Sequence, residues 1–521
     1  MKNKDDIFTS YKFLDKTVFV NLNGDIDNFE DLKKSLCAHY GFIIQNQEAL
    51  VGAMFIVYGE TFVTKLCGAF VIAIRFEASL FLYRDRIGLR HVYYTPRGDF
   101  SFLNFKELLE CRSIIPLVNV NFITETLIFG FQISNETPIN GIYLLPKGSY
   151  VRFDNKKMQE IKSYIVDSQT FEQFSSEKLR KFVENNISKY KKYSVKNICL
   201  SGGVDSSVVA LLIHTLSDAK DKIFSYTLTS ESPQKYDELY AKCVADYINS
   251  EHCTVNVSVR DMLENLIEFI QCSEIPGLSG IYLPNGELAF YLLLKHVKNQ
   301  EVNLIFTGDG VEKLFRTFSV PKTSWIKQFC SRYKYAKKII GCKNENIEYF
   351  FEQWQLDSLT AYEWLLNYEW LEQIQVGNKI AEHNNLHLVS PFLEEKVVCY
   401  MDRNYKYWLE SSQFSIGDKT QFQNIFSDLF TTNELKKIIY RKKEALPTAI
   451  SSLQHDFLRE IERSYFPVVK GPYDRLFYNK YEKFVFDLFF YIFIQKKGTI
   501  NPECLTLKDL INDPKFKYMY D

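Results

Sequence analysis

The chain has 521 residues, enough for two to four domains, with 46% hydrophobic and 24% charged residues and a formal net charge of −1. That near-neutral balance argues against a protein held mainly on nucleic acid or on an anionic membrane. Its 11 scattered cysteines include no C-x-x-C pair and read as reduced thiols of a cytoplasmic protein. The charged opening Met1-Lys2-Asn3-Lys4-Asp5-Asp6 leads into no apolar signal segment.

From residue 12 to 155 the pattern predicts strands, with short apolar runs at 18–21, 69–75, 80–84 and 91–94. A helix is expected over 28–38, where Phe29, Leu32 and Leu36 fall at helical spacing among charged residues. This part, 1–165, is expected to be an α+β sandwich. From 171 onward, helical stretches alternate with buried strands at 197–200, 223–229, 254–257 and 303–307. Such alternation predicts a parallel, doubly wound α/β sheet in the second domain, 171–521, with a mostly helical part after Ser324. The apolar run 488–494 is too short to span a bilayer and follows Asp487, so a buried helix is expected.

The strongest chemical signal is Ser201-Gly202-Gly203-Val204-Asp205-Ser206-Ser207, between a strand ending at Leu200 and a helix over 204–215. Glycines let the backbone approach an anion, and a helix N-terminus presents unpaired N–H groups. Ser201, Ser206 and Ser207 can donate to phosphate oxygens. Asp205 would repel a bare phosphate, so it makes sense with a divalent cation between them. The loop is not of the G-x-x-x-x-G-K-[ST] type, so cleavage between β- and γ-phosphates is not implied.

This loop resembles that of the N-type ATP pyrophosphatases, and its surroundings resemble the asparagine synthetase family. Asp237-Glu238-Leu239-Tyr240-Ala241, Thr307-Gly308-Asp309-Gly310-Val311-Glu312-Lys313-Leu314-Phe315, Ser390-Pro391-Phe392-Leu393-Glu394 and Arg441-Lys442-Lys443-Glu444 follow in the family's order. The resemblance implies that a carboxylate is activated as an acyl-adenylate with loss of pyrophosphate, and that an amine then displaces AMP. It implies ATP and pyrophosphate binding by Leu200, Ser201, Gly202, Gly203, Val204, Asp205, Ser206, Ser207, Thr227 and Gly308. Asp205 and Glu312 would hold Mg2+, Lys443 would stabilise charge in the transition state, and Asp309 would lie near the reacting acyl group. Glu312 stands where the family usually has Asp, and Lys313 where it usually has Glu. Glu274, Tyr282, Glu287 and Glu369 are candidate contacts of the acyl pocket.

The first domain resembles the family's glutaminase, of the N-terminal-nucleophile hydrolase type. The resemblance rests on Asn23-Gly24-Asp25-Ile26-Asp27-Asn28, Cys67-Gly68-Ala69-Phe70-Val71-Ile72-Ala73, Arg84-Asp85-Arg86-Ile87-Gly88-Leu89 and Leu145-Pro146-Lys147-Gly148. That chemistry needs an N-terminal Cys whose α-amine acts as base. Position 2 is Lys, Cys37 and Cys67 are internal, and Asn23-Gly24 lies near the start, so a truncated, inactive domain is expected. Glutamine is then not the nitrogen donor. β-Lactam synthetases and lasso-peptide cyclases are alternatives within the family; Asp309 favours intermolecular amidation, because those enzymes carry Tyr or His there. Small-molecule or peptide carboxylates and amines are the expected substrates, with partner proteins of a biosynthetic cluster and no membrane. A tRNA-modifying adenylating enzyme and an inactive partner protein are the readings from other classes; the charge balance opposes the first and the intact loop the second.

Overall fold

The computed structural model describes residues 7–102, 104–111, 114–165, 174–230, 236–274, 285–298, 303–315, 323–341, 343–404, 419–440, 448–465, 475–477 and 480–501. The chain forms two compact units, Met1–Asn119 with Asn135–Gln169, and Val120–Ser134 with Thr170–Asp521.

The first unit runs β1 (Thr9–Phe13), β2 (Lys16–Ile26), α1 (Phe29–Tyr40), α2 (Gln47–Tyr58), β3 (Gly68–Phe76), β4 (Ser79–Arg84), β5 (Tyr93–Tyr94), β6 (Phe100–Ser101), β7 (Tyr143–Leu144), β8 (Ser149–Asp154) and β9 (Lys157–Ser163). Strands β1, β2, β3, β4, β8 and β9 form one antiparallel sheet in that order, and β6-β5-β7 form a second, small one. Side chains alternate across a strand. Phe70, Ile72 and Ile74 of β3 therefore join one core with Leu50, Val51 and Met54 of α2. Val71 and Ala73 point the other way, into a core with Val92, Tyr94 and Leu145. The expected strands are present, although the one anticipated at 91–94 is reduced to Tyr93–Tyr94. Helix α2 was not anticipated: it is apolar almost all round, so it shows no 3.6-residue period.

Arg84 and Asp85 are fully buried and tie two of the first unit's motifs together. The Arg84 guanidinium donates to the carbonyls of Gly88, Arg90 and Leu145 at 2.9, 2.7 and 2.7 Å. The Asp85 carboxylate accepts the N–H groups of Ile87, Gly88, Leu89 and Arg90. Gly148, of the Leu145-Pro146-Lys147-Gly148 motif, donates its N–H to the Asp85 carbonyl at 2.8 Å. Burial pushes the Asp85 carboxyl up, and Arg84 and the N–H donors oppose that.

The second unit contains α3 (Val120–Phe129), α4 (Ser176–Ser188), β10 (Val195–Cys199), α5 (Val204–Leu216), β11 (Lys222–Thr229), α6 (Tyr236–Tyr247), β12 (Glu251–Asn256), α7 (Val259–Ser273), α8 (Asn285–Lys298), β13 (Leu304–Phe306), α9 (Val311–Leu314), α10 (Thr323–Ile340), α11 (Glu345–Leu356), α12 (Ser358–His383), β14 (His387–Val389) and α13 (Glu395–Arg403). Its sheet has the order β12-β11-β10-β13-β14, and every pairing is parallel. The strand order reverses at β10, and in such sheets ligands bind in the crevice outside the strands' carboxyl ends at that reversal. The fifth strand, β14, lies inside the stretch expected to be helical; three residues are too few to show a strand period. Helix α3 is held by its buried Glu125, which accepts from Asn344, Asn346, Ser134 and the Ile133 N–H.

Near the C-terminus, helix Lys480–Phe489 is buried from Tyr481 onward and continues as a π-helical turn over Phe490–Gln495. Its Asp487 accepts from Lys483 and Tyr465. Among the described residues no helix is long and apolar enough to cross a membrane. The described cysteines are free thiols.

Glu268 ties three helices together. It accepts from Lys295 of α8 at 2.6 Å and lies 3.1 Å from Nε2 of His383 at the end of α12. The His383 hydrogen bond, with Lys295 adding to it, holds the Glu268 carboxyl down at about 2 against an ordinary 4.5. A depressed folded-state value stabilises above the unfolded value and is lost as pH falls through the folded one. Glu268→Gln should therefore cost about 1–3 kcal/mol at pH 7, after solvent screening. The gap to the wild type should close between pH 4.5 and about 2, as read from urea midpoints.

Candidate functional site

The loop after β10 is built as the sequence suggested, with its hydroxyls partly committed to the loop itself. The Leu200 N–H donates to the Tyr226 carbonyl at 2.8 Å, prolonging the sheet ladder. The buried Thr227 hydroxyl donates to the Leu200 carbonyl at 2.6 Å, so Thr227 fixes the end of the strand from below. Gly203 is the N-cap of α5 and has no side chain to satisfy the first-turn amides, which begin at Val204. The Ser206 and Ser207 hydroxyls donate to the Gly203 carbonyl at 3.2 and 2.8 Å, and both residues are buried. They staple the turn. Ser201 is exposed, and its Oγ lies 3.0 Å from that of Ser206.

Two glycines let the neighbouring motifs close onto this turn. Gly202 has a φ of +75°, and a Cβ there would lie 2.2 Å from the Asp237 carbonyl oxygen, at the start of α6. Gly308 presses against α5: a Cβ would lie 2.6 Å from the Ser206 nitrogen and 2.7 Å from the Asp205 carbonyl carbon. The hydroxyl of Ser390 donates to the Asp309 carbonyl at 2.5 Å, which joins the Ser390-Pro391-Phe392-Leu393 motif to the same edge. Four of the five motifs thus converge at the carboxyl end of the sheet. Arg441, Lys442, Lys443 and Glu444 lie outside the described residues, as does Tyr282, and so does the Glu369 side chain.

The carboxylates expected to hold a metal come together around a lysine. Lys419 Nζ lies 2.5 Å from Asp205 Oδ2 and 3.6 Å from Glu312 Oε1. Asp205 Oδ1 is buried without a hydrogen-bond partner. Among the described residues no cluster of three or more His, Cys, Asp or Glu side chains could hold a metal ion. Two carboxylates with an orphaned oxygen nevertheless fit magnesium, which keeps several waters and takes one or two carboxylates plus phosphates. Asp309 opens to solvent in the cleft, yet the dense surroundings push its carboxyl up by desolvation, and the charge of Asp205 adds to this. The Cys199 thiol at the end of β10 is pushed up by burial and by Asp309, which keeps it neutral.

Lys313 is buried within α9 rather than facing solvent. Glu274 is also buried, and it is paired with Lys379 of α12 at 2.6 Å. Burial raises the Glu287 carboxyl at the start of α8. Lys419 was not anticipated from the sequence: a single lysine in Ile416-Gly417-Asp418-Lys419 forms no pattern, and only the fold brings it to Asp205.

The chain is similar to known proteins in both of its parts. Residues 177–467 match the family described as asparagine synthase, and residues 12–165 match a glutamine amidotransferase domain. Asparagine synthetase (glutamine-hydrolyzing) 2 of Oryza sativa subsp. japonica is 25% identical over 315 residues, 58% of this chain and 48% of that protein. Asparagine synthetase (glutamine-hydrolyzing) 3 of Bacillus subtilis (strain 168) is 25% identical over 293 residues, covering 51% of this chain and 47% of that one. The amidase chyE of Penicillium rubens is 24% identical over 345 residues, 60% and 50% of the respective chains. The chain spans about half the length of the curated relatives it matches.

Gly308→Ala should separate the Gly308-Asp309-Gly310 turn from the first turn of α5, since the added carbon meets backbone on both sides. We expect a loss of about 1–3 kcal/mol in urea denaturation. Affinity for inorganic pyrophosphate in calorimetry should fall about tenfold or more. Unchanged pyrophosphate binding would show that the two turns do not form one anion cradle.

Proposed function

Because the chain belongs to the asparagine synthase family, we propose that it is an ATP-dependent carbon–nitrogen ligase that joins a carboxylate to an amine through an acyl-adenylate. The observation that carries this reading is the convergence of an anion-cradling helix start, a pair of carboxylates and a lysine within one crevice. A carboxylate oxygen of the substrate attacks the α-phosphorus of ATP, and the bond to pyrophosphate breaks. The amine then attacks the acyl carbon, the bond to AMP breaks, and the amine's proton passes to a base.

The chain's residues divide this work. The first-turn amides of α5 and the Ser201 hydroxyl hold the departing pyrophosphate. Asp205 and Glu312 hold magnesium, which when bound supplies neutralisation of the phosphate charge. Asp309 faces the acyl group, and its raised carboxyl makes it a better acceptor for the amine's proton. Lys443, from the late basic motif, stabilises negative charge as the acyl carbon becomes tetrahedral. On this reading the amine is taken up as such and is not released from glutamine within the first domain. Asp309, in place of Tyr or His, favours an intermolecular amidation, with a specialised peptide or natural product as substrate and the cytoplasm as its setting.

Asp205→Ala should abolish ATP–pyrophosphate exchange while circular dichroism shows an intact fold; exchange at the wild-type rate would sink the loop assignment. Lys443→Met should lower turnover about a hundred- to a thousandfold with little change in the KM for ATP. Lys442→Met should do much less. Equal losses in the two, or a pure loss of ATP affinity, would make the basic run a nucleotide clamp. Glutamate release from glutamine by the purified protein would overturn the choice of nitrogen donor.

A further inference from the structure

We propose that Lys419 is a built-in stand-in for the divalent cation, so that a metal ion enters the site by displacing its ammonium from Asp205. This rests on the assignment of Asp205 and Glu312 as the metal-holding pair. The ammonium sits where such an ion would be needed, 2.5 Å from one carboxylate and 3.6 Å from the other. Its side chain is only 11% exposed, so water screens this charge poorly. A metal ion held by Asp205 would lie within a few ångströms of the Lys419 ammonium on the neighbouring oxygen, and their like charges repel at that range.

The exchange needs only a side-chain movement. Lys419 directly precedes helix Thr420–Phe426, whose Phe422 is fully buried against Phe315 and Phe392 at ring separations of 5.3 and 5.5 Å. The backbone of Lys419 is thereby anchored while its four-carbon stem can swing. A metal ion arriving alone takes up the two carboxylates that neutralised the ammonium. A metal ion arriving with a polyphosphate supplies a counter-charge in their place. Metal and nucleotide are therefore thermodynamically coupled through Lys419, each raising the other's affinity by the same factor.

The test uses Mn2+ as probe, followed by electron paramagnetic resonance on the full chain, with and without a non-hydrolysable ATP analogue. Wild type should bind Mn2+ weakly alone and about tenfold or more tightly with the analogue. Lys419→Met and Lys419→Gln should bind Mn2+ alone about tenfold more tightly than wild type and lose most of the coupling. Lys419→Arg should behave as wild type. Adding Asp205→Asn to Lys419→Met should remove the gained affinity. Unchanged Mn2+ affinity in the folded Lys419 variants would overturn the inference while leaving the ligase reading untouched. If neither variant folds, the wild type decides: equal Mn2+ affinity with and without the analogue overturns it. No Mn2+ binding by wild type even with the analogue would remove the metal assignment itself, and the stand-in with it.

Discussion

The second unit depends on the contact between two backbones at Gly308. The turn that follows β13 lies against the first turn of α5 so closely that there is no room for a single methyl group. This contact places the segments that follow the adjacent strands β10 and β13 at a fixed offset. Asp309 and Glu312 on one, and Asp205 on the other, owe their proximity to it. The Ser390 hydroxyl on the Asp309 carbonyl then locks the turn from the β14 side. Side-chain geometry in the crevice is thus inherited from backbone packing, the most rigid feature a fold can offer.

That packing creates an electrostatic problem. A helix start is suited to anions, yet the same space gathers Asp205, Glu312 and Asp309. Lys419 relieves part of the excess negative charge, while desolvation first and the charge of Asp205 second raise the Asp309 carboxyl. The acidic residues share this space because positive charge is supplied from elsewhere in the sequence. In the first unit the corresponding problem, the buried Arg84-Asp85 pair, is solved locally by carbonyls and N–H groups within a few residues and at the Leu145 carbonyl.

Much of this was legible in the sequence where a period or a spacing carried it. The apolar run of β3, the β10-loop-α5 junction and the parallel strands β11, β12 and β13 all follow from local pattern. Helix α2 was hidden by being apolar on every side, and β14 by being three residues long. The loop motif located the strand–helix junction but not the state of its hydroxyls. Ser206 and Ser207 turn back onto the Gly203 carbonyl, three and four residues earlier, a matter of geometry that residue types do not encode. Lys419 was illegible for a different reason: it lies 214 positions from Asp205, and charge complementarity at that separation leaves no local trace.

Helix α3 carries a consequence for how the molecule is made. It lies between two stretches of the first unit in sequence, yet Phe129 packs against Phe329 and Phe350, and Glu125 is satisfied by Asn344 and Asn346. On the ribosome these partners emerge roughly 200 residues later, about 10 to 40 seconds at ordinary rates of synthesis. During that interval the Phe129 ring and the Glu125 carboxyl are synthesised but not yet housed. Residues 120–134 are thus made between stretches of the first unit but housed only once the later residues of their own unit have been synthesised.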